Sequence, residues 1–518
     1  MTSRVHLTTP LYYVNAEPHL GHTYTTVVVD TAARFHRSMD RDVFFLTGTD
    51  EHGDKIAQAA ADKNCEPRAY ADRVSALFRS TWDTCGISYD HFVRTTDDYH
   101  VAFVQEMLQK IHDSGDIYFG EYGGKYCYGC ERFYADRELV DCRCPDHKTE
   151  PTFISEKNYF FRMSRYQQPL LDHLAANPDM ISPVGYRNEV MGLLREPLED
   201  LCISRPKSRL TWGIELPFDR EYVTYVWFDA LVNYVSALAH AKGEGQSGSA
   251  GWEAYWANAH HYVAKDILKP HSVFWPTMLM AAGLPVYRAL HVHGYWNMGE
   301  SKMSKSLGNV IRPLEMRERF GMDGFRYFLL REMAFGNDAA FTEDAFITRF
   351  NADLSNGIGN LVSRVLAMQQ RYFEGAIQPV TTVEKADAEL EAVFTEAERR
   401  AVDAYEGSQY HVALEEIWKA VAACDKYIVE MAPFKLWKLE EARPRVGVIL
   451  HLLCDALRHL ARLIAPAMPE TSAKIASLLD ADPGRLADAA PPWRLSFPEG
   501  HVVKAPEPLF PRLEIPKP

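Results

Sequence analysis

The first fifty residues combine two short apolar runs with one long amphipathic segment. Residues 4–9 (RVHLTT) are β-branched and alternating and predict a strand, residues 19–41 have helical spacing, and residues 42–53 (DVFFLTGTDEHG) predict a buried strand that ends in a polar turn. This order predicts a βαβ unit, from which parallel sheets are built. Ligands of such sheets bind at the carboxyl ends of the strands, where residues 10–22 and 48–53 would lie.

Farther along the chain, the pattern changes twice. From about residue 116 to 225, glycines, cysteines and short strands such as KYCYGC interrupt the parallel pattern, which we expect to resume at residues 222–238. This interruption predicts a small domain inserted into the parallel fold. From about residue 346 onward, Ala, Leu, Glu and Arg recur at helical spacing. The sequence therefore predicts an α/β fold that is followed by a C-terminal α-helical bundle.

The composition excludes several classes of protein. A chain of 518 residues is long enough for more than one core, and 47% hydrophobic with 24% charged residues is ordinary for a globular protein. No apolar run approaches the roughly 20 residues that span a bilayer, and the N-terminus lacks a signal-peptide core, so we expect a cytoplasmic protein without a membrane partner. The net charge of -14 argues against a basic coat, so any nucleic acid must meet a local basic patch.

Four residues have the spacing of a zinc site. Cys127 and Cys130 form C-x-x-C in YCYGC, and Cys144 with His147 forms C-x-x-H in CPDH. Two such pairs joined by a short hairpin supply the four ligands of a tetrahedral zinc ion and leave no open position. We therefore predict one structural zinc ion per chain. The alternative is a small core with reduced cysteines; Cys142 breaks the spacing and is left out.

Two further motifs suit an anion. His19 and His22 stand three residues apart at the start of the predicted helix, where unpaired N–H groups and the helix dipole favour phosphate, and Gly21 lets a ligand approach the backbone. Lys302 and Lys305 lie in the loop SKMSKSLGN, where two mobile cations could meet an anion whose charge grows during a reaction. Taken singly, the first motif could be two surface histidines and the second a solvated loop.

Together and in order, these motifs resemble those of methionyl-tRNA synthetases, a family of class I aminoacyl-tRNA synthetases, along essentially the whole chain. Besides the two metal-ligand pairs, the resemblance rests on TTPLYYVNAEPHLGH, FFLTGTDEHG, YVWFDALVNY, KDILKPHSVFWP, HGYWNMGESKMSKSLGN and NGIGNLVSR. It implies a Rossmann-like parallel sheet split by a zinc-containing connective insertion. The implied domains are the first half of the catalytic domain at 1–115, the insertion at 116–225, the second catalytic half at 226–290, a KMSKS stem-contact region at 291–345 and an α-helical anticodon-binding domain at 346–518.

The resemblance also implies the reaction and its residues. The enzyme would activate L-methionine with ATP and Mg²⁺, release pyrophosphate, and transfer the methionyl group to the 3'-terminal adenosine of initiator and elongator methionine tRNA. Among the matching positions, His19, His22, Lys302 and Lys305 would be catalytic, and ATP would be bound by His19, Gly21, His22, Asp266 and Lys305. The methionine site would consist of Leu11, Tyr13, Asp50, Trp227, Ala230, Leu231, Tyr234, His271 and Trp275.

On the tRNA side, the resemblance implies that Asn360 and Arg364, which share one helix face, read the anticodon. The chain departs from the family pattern at two places. Phe434 stands where a base-stacking tryptophan usually follows Ala-Pro, with Trp437 one turn on, so either ring could stack and we favour Phe434. Ala264 replaces a usual glycine before KDI, which could crowd the adenosine.

Three other functions compete with this interpretation. Another small class I synthetase, such as the cysteinyl enzyme, would use zinc as an open site for a substrate thiol. A zinc-containing RNA-binding protein with a relic nucleotide fold would have lost the histidines or the lysine loop, which are present. A nucleotidyltransferase without tRNA would not need the helical bundle. Because the chain carries no further C-terminal dimerisation domain, we expect a monomer.

Overall fold

A computed structural model of the chain describes residues 3–127, 132–134, 136–145, 148–243, 251–298, 301–302, 311–498 and 500–514. The chain forms two compact units. The first unit consists of residues 4–18 and 44–292, and the second consists of residue 3, residues 19–43 and the chain from residue 293 onward. Within the described part of the chain, every helix is too short or too polar to cross a membrane.

In the part of the chain that the structure describes, the main sheet of the first unit has seven strands. They are β1 (Arg4–Thr8), β2 (Tyr12–Tyr13), β3 (Asp42–Asp50), β4 (His91–Arg94), β8 (Ile181–Ser182), β13 (Ala259–Ala264) and β14 (Ala289–His293). Strand β3 lies beside β1, β2 and β4, and the order continues from β1 to β13, β14 and β8. The pairs β1–β13, β2–β3, β3–β4 and β14–β8 are parallel. The strand order reverses between β1 and β13, so a ligand crevice is expected at their carboxyl ends.

Among the described residues, the first unit contains eight α-helices. They are α2 (Asp54–Asp62), α3 (Pro67–Thr84), α4 (Asp98–Asp113), α5 (Gln167–Ala176), α6 (Val184–Leu193), α7 (Val226–Lys242), α8 (Glu253–Trp256) and α9 (Trp275–Ala281), the last preceded by a π-helical turn at Pro270–Phe274. The prediction that residues 222–238 resume the parallel sheet is wrong, because most of this segment is α7. Twelve of the 17 residues of α7 are buried, so its apolar run lacks the one-sided period that marks a surface helix.

Two antiparallel sheets are interposed between β4 and β13. One contains β5 (Ile117–Cys127), β6 (Arg132–Tyr134), β7 (Thr152–Phe161) and β9 (Leu201–Cys202), and the other contains β10 (Ser204–Pro206), β11 (Glu215–Leu216) and β12 (Asp219–Thr224). In sequence, strand β8 lies between β7 and β9 of the first of these sheets, but it belongs to the main sheet. The chain therefore returns to the parallel sheet once within the predicted insertion, and the exact limits of that insertion stay a prediction.

The second unit is mainly helical, which confirms the predicted C-terminal helical region. A small sheet is formed by β15 (Trp296–Met298), β16 (Ser301–Lys302) and β17 (Ala339–Phe341). The helices are α1 (Leu20–Ser38), α10 (Pro313–Phe320), α11 (Met322–Glu332), α12 (Glu343–Arg349), α13 (Asn360–Phe373), α14 (Lys385–Glu406), α15 (Tyr410–Met431), α16 (Pro433–Leu436), α17 (Arg443–Ile464) and α18 (Pro469–Leu479). The strand, helix and strand that the first fifty residues predict correspond, in sequence order, to β1, α1 and β3.

A buried arginine fixes α1 within the second unit. Arg326 of α11 is 1% exposed, and its Nη1 donates to Asp30 of α1 at 2.6 Å. Its Nε donates to the carbonyl oxygen of Ala467, in the turn between α17 and α18, at 2.7 Å. Since a buried guanidinium needs partners for its donors, this ion pair and the backbone acceptor hold three segments in one arrangement.

Candidate active site

The N-terminus of α1 is capped by the two histidines of the HLGH motif. The backbone N–H of Gly21 donates to Nδ1 of His19 at 3.1 Å, and the N–H of His19 donates to Nδ1 of His22 at 3.4 Å. A backbone N–H can only donate, so Nδ1 of each neutral ring accepts and Nε2 carries the proton. The rings are stacked with their centroids 3.7 Å apart. Two Nε2–H groups beside a helix N-terminus suit an anionic oxygen.

Two contacts explain the residues between these histidines. A Cβ on Gly21 would lie 3.2 Å from Cε1 and 3.3 Å from Nδ1 of the His19 ring, which is tight enough to disturb the cap. The N–H of Leu20 donates at 2.9 Å to the carbonyl oxygen of Ile311, the first described residue after the KMSKS motif. One of the four otherwise unpaired N–H groups of the helix is thereby satisfied by the chain that follows the lysine loop.

The lysine loop is described only in part. The backbone of Lys302 lies in β16, where it pairs with Asn297 of β15. Lys305 lies outside the described residues. Among the candidate catalytic residues, the structure therefore brings together His19 and His22, and it gives Lys302 a fixed place in the small sheet of the same unit.

In the first unit, several predicted methionine residues follow the carboxyl ends of the parallel strands. Asp50 ends β3 and pairs in register with Tyr13 of β2. Asp50 is 9% exposed, Tyr13 is half-buried, and Leu11 packs against the main core. Asp266, in contrast, is exposed in the 3-10 turn that follows β13, where a ribose could reach it. These positions agree with the crevice expected beside β1 and β13.

The buried centre of the predicted pocket is aromatic and uncharged. His271 Nδ1 lies 2.9 Å from the carbonyl oxygen of Ile267, so Nδ1 carries the proton, and Nε2 accepts the hydroxyl of Tyr234 at 2.8 Å. Burial lowers the pKa of His271 to about 4, so the ring is neutral at physiological pH. Trp275 is fully buried, and its Nε1 donates to His261 at 3.3 Å. His261 was not predicted from the sequence; it belongs to the apolar strand β13, where it looks like a core residue.

The other pocket positions surround this centre. The rings of Trp227 and His271 are 6.4 Å apart and nearly perpendicular, and those of Tyr234 and Trp275 are 6.1 Å apart. Trp227 is half-buried, whereas two smaller side chains of α7 are buried, namely Ala230 and Leu231. Apolar walls with one weak polar pair suit an unbranched thioether, because sulfur contacts aromatic rings favourably.

Sequence reasoning missed a buried carboxylate in this unit. Asp229 in the first turn of α7 is 1% exposed and accepts from His52 Nδ1 at 2.6 Å and from His100 Nε2 at 2.9 Å. Burial alone would raise the pKa of Asp229, but these two histidines hold it below its ordinary value. The available signal was a charged residue inside the apolar run VWFDALV, together with His52 in the motif GTDEHG.

The predicted zinc site is described in part. Cys127 and Cys144 are 1% and 0% exposed and pack with Tyr134 in one small cluster, and Cys130 and His147 lie outside the described residues. Within the described ranges, no three His, Cys, Asp or Glu side chains come together as metal ligands. Two buried sulfurs in one cluster fit the donor set of a structural zinc ion, which stays a prediction.

The predicted tRNA residues lie in the second unit. Asn360 is exposed at the start of α13, and Arg364 one turn later pairs with Asp425 at 2.8 Å. Phe434 is 45% exposed. Trp437 instead stacks on Tyr372 with centroids 4.6 Å apart, and the Arg443 guanidinium lies 5.0 Å from its ring centre.

Comparison with known proteins adds independent information. Residues 5–366 match the family described as tRNA synthetases class I (M), and residues 378–515 match the anticodon binding domain of methionyl tRNA ligase. A methionine–tRNA ligase from Caldanaerobacter subterraneus subsp. tengcongensis is 42% identical over 100% of this chain and 80% of its own length. One from Thermosynechococcus vestitus is 38% identical over 100% of this chain and 99% of its own length.

A solved structure agrees with these sequence matches. The Mycobacterium tuberculosis methionyl-tRNA synthetase in complex with methionyl-adenylate is 38% identical and superposes with a TM-score of 0.92. The match covers 99% of this chain and 100% of that one. The fold and the sequence therefore point to the same family over the whole length of the chain.

Proposed function

This chain belongs to the methionyl-tRNA synthetase family, and from that premise we propose how its side chains carry out the reaction. The enzyme activates L-methionine with ATP, releases pyrophosphate, and transfers the methionyl group to the terminal adenosine of methionine tRNA. A cysteinyl activity is not favoured. The observation that carries the substrate assignment is the buried, uncharged aromatic group of Tyr234, His271 and Trp275.

In this proposal, methionine lies with its thioether among these rings. Tyr234 donates its phenol hydrogen to His271, and sulfur, which is only a weak acceptor, would share that hydrogen in a bifurcated contact. A charged side chain would instead have to give up its hydration. The carboxylate of Asp50 would hold the α-ammonium group beside Tyr13. Leu11, Trp227, Ala230 and Leu231 would complete the apolar walls.

His19 and His22 would donate from Nε2 to the phosphates of ATP, and Gly21 would keep the backbone close to them. Asp266 would contact the ribose, and Lys302 and Lys305 would balance the charge that develops on the leaving pyrophosphate, with Mg²⁺ accompanying the nucleotide. The methionine carboxylate attacks the α-phosphorus in line, forming the acyl–phosphate bond as the bond to pyrophosphate breaks. No side chain needs to act as a nucleophile, because positioning and charge stabilisation supply the rate.

Two further proposals concern the rest of the chain. Asn360 and Arg364 would contact the anticodon, and Phe434 would stack on a base, which its exposure supports better than the packed ring of Trp437. Cys127, Cys130, Cys144 and His147 would hold one zinc ion. That ion would cross-link the insertion and leave the chemistry to other residues.

The proposed function is tested by amino-acid-dependent exchange of pyrophosphate into ATP, measured with each of the twenty amino acids and with and without tRNA. We expect methionine to support exchange without tRNA, and methionine tRNA to accept the product. Exchange that depends on cysteine alone, or on no amino acid, would contradict the proposal. Homocysteine, one methylene smaller, should also be activated, with a loss of only about 1–3 kcal/mol.

A further inference from the structure

The buried carboxylate of Asp229 joins three segments of the first unit. It lies in α7 and accepts from His52, which follows β3, and from His100 of α4. His100 is held in turn by Ser236, whose Oγ lies 2.7 Å from its Nδ1. A carboxylate that accepts from two imidazoles on different segments fixes the orientation of both rings.

The chain beside His52 is held from several directions. The carboxylate of Glu51 is fully buried and accepts from Arg94 Nε at 2.7 Å and from the hydroxyl of Thr96 at 2.6 Å. Trp212 Nε1 donates to the carbonyl oxygen of Glu51 at 2.5 Å, and the N–H of Gly53 donates back to the carbonyl of Trp212 at 3.2 Å. Glu51 is therefore anchored by β4, its flanking turn and Trp212. The ring of His52 packs against Trp212 with centroids 5.2 Å apart, and its Nδ1 is held by Asp229.

This anchored segment supports the pocket directly. The hydroxyl of Tyr13 donates to the carbonyl oxygen of His52 at 3.0 Å. Tyr13 also pairs in register with Asp50, and the N–H of Val14 donates to the carbonyl oxygen of Asp50 at 3.1 Å. The place of Tyr13, and with it the alignment of β2 along Asp50, depends on where the backbone of His52 lies.

We propose that Asp229, acting through His52, is a positioning residue of the methionine site that sets Tyr13 and Asp50 for the α-ammonium group. The inference rests on the proposed roles of Tyr13 and Asp50. It assigns no contact with methionine to Asp229 itself. Its effect should therefore fall on binding of the amino acid and leave the ATP side and the chemical step unchanged.

The first test is Asp229→Asn, which keeps the shape but turns one acceptor oxygen into a donor that faces an imidazole N–H. We expect KM for methionine to rise about tenfold, with kcat and KM for ATP within about threefold, the signature of lost ground-state binding. A matched control is Asp455→Asn in α17, since Asp455 is also fully buried and has His451 3.7 Å away, but it lies in the second unit. The control should lower stability without changing KM for methionine.

A second pair of variants keeps the test decisive if Asp229→Asn does not fold. His52→Asn retains a side-chain N–H near the position of Nδ1, whereas His52→Ala removes it. We expect the alanine variant to raise KM for methionine about tenfold and the asparagine variant to restore it to within about threefold. A purely structural role would lower the active fraction in both and leave the two KM values unchanged.

Three results would overturn the inference: an unchanged KM for methionine in both Asp229→Asn and His52→Ala, equal increases in the KM for methionine and for ATP, or no rescue by His52→Asn. Failure of the proposed function looks different, because the unmodified enzyme would then show no methionine-dependent exchange at all.

Discussion

At the scale of single residues, the position of one proton distinguishes the two groups of histidines. Backbone N–H groups make Nδ1 an acceptor in His19 and His22, so Nε2 carries the proton. A carbonyl oxygen makes Nδ1 the donor in His271, so Nε2 accepts. The first pair therefore presents donors, which phosphate oxygens need, while His271 presents an acceptor to a phenol. The same side chain therefore presents donors in one unit and an acceptor in the other, as the proposed roles at ATP phosphate and at the methionine thioether require.

The first prediction concerns Tyr234. Replacing it by Phe leaves Nε2 of His271 without its donor and removes the polar contact proposed for sulfur. A site that loses a hydrogen-bonding group discriminates less against a substrate that lacks the matching group. We expect the preference for methionine over norleucine, in which a methylene replaces sulfur, to fall about tenfold, which corresponds to ~1.4 kcal/mol. The ratio of kcat/KM values in pyrophosphate exchange measures it.

A matched control for this substitution is Tyr405→Phe. Tyr405 is also buried, and its hydroxyl contacts the carbonyl oxygen of Leu463 at 3.3 Å, but it lies in the second unit. It should leave the preference for methionine unchanged. An unaltered preference in Tyr234→Phe would show that sulfur is recognised by packing alone.

At the scale of elements, the second prediction concerns which aromatic ring in α16 and the turn before α17 stacks on a tRNA base. Phe434 is exposed and Trp437 is packed between Tyr372, Phe373 and Arg443. We expect Phe434→Ala to weaken binding of methionine tRNA by about 1–3 kcal/mol, the usual contribution of one base stacked on an aromatic ring. Trp437→Ala should chiefly lower stability. Filter binding of methionine tRNA and urea unfolding, applied to both variants, separate the two effects, and the reverse pattern would assign the stack to Trp437.

The third prediction concerns the insertion. Cys144 is buried beside Cys127, and a structural zinc ion contributes on the order of 10 kcal/mol to the folding of the segment that holds it. Cys130→Ser should therefore release zinc and unfold the insertion, seen as new proteolytic cleavage within residues 116–225. Cys142→Ser, which changes an exposed cysteine outside the predicted ligands, is the control. Purified protein without one equivalent of zinc would contradict the prediction.

These elements also show how far the sequence could predict the structure. Helix α1 was predicted at residues 19–41 and runs from Leu20 to Ser38, because its polar start and its apolar spacing are local signals. Helix α7 was mistaken for sheet, because a segment buried on nearly all sides carries no period. The contact between His52 and Asp229 joins residues 177 positions apart, so no local pattern could predict it. Motifs predict candidate site residues, whereas only the fold shows which neighbouring side chains hold them.

At the scale of the whole molecule, buried histidines make stability depend on pH. Burial lowers the pKa of His6, His271 and His293 to about 4. In the unfolded chain these histidines take up protons near pH 6.5, whereas in the folded chain they do so only near pH 4. The free energy of unfolding is therefore unaffected by them above pH 6.5 and decreases as the pH falls from 6.5 toward 4. Each contributes at most about 3 kcal/mol. Asp323 has the opposite effect on stability. Burial raises its pKa to about 6, so acid neutralises the buried carboxylate and increases the free energy of unfolding.

The fourth prediction follows from how these groups are divided between the units. His6 and His271 lie in the first unit, where burial also lowers the pKa of His261 and His291 well below the ordinary value. In the second unit, the acid destabilisation caused by His293 is opposed by the acid stabilisation caused by Asp323. When the pH falls from 7.5 to 5, the free energy of unfolding of the first unit should therefore decrease by several kcal/mol, and that of the second unit should decrease much less.

Hydrogen exchange measured by mass spectrometry, corrected for the intrinsic rate at each pH, tests this order of acid sensitivity. Peptides from β1, β13 and β14 should lose protection at a higher pH than peptides from α14, α15 and α17. Asp323→Asn removes the compensating carboxylate, so it should make the second unit more sensitive to acid than before and leave the first unit unchanged. Equal loss of protection in both units, or earlier loss in the helical one, would mean that the buried histidines do not control the acid response.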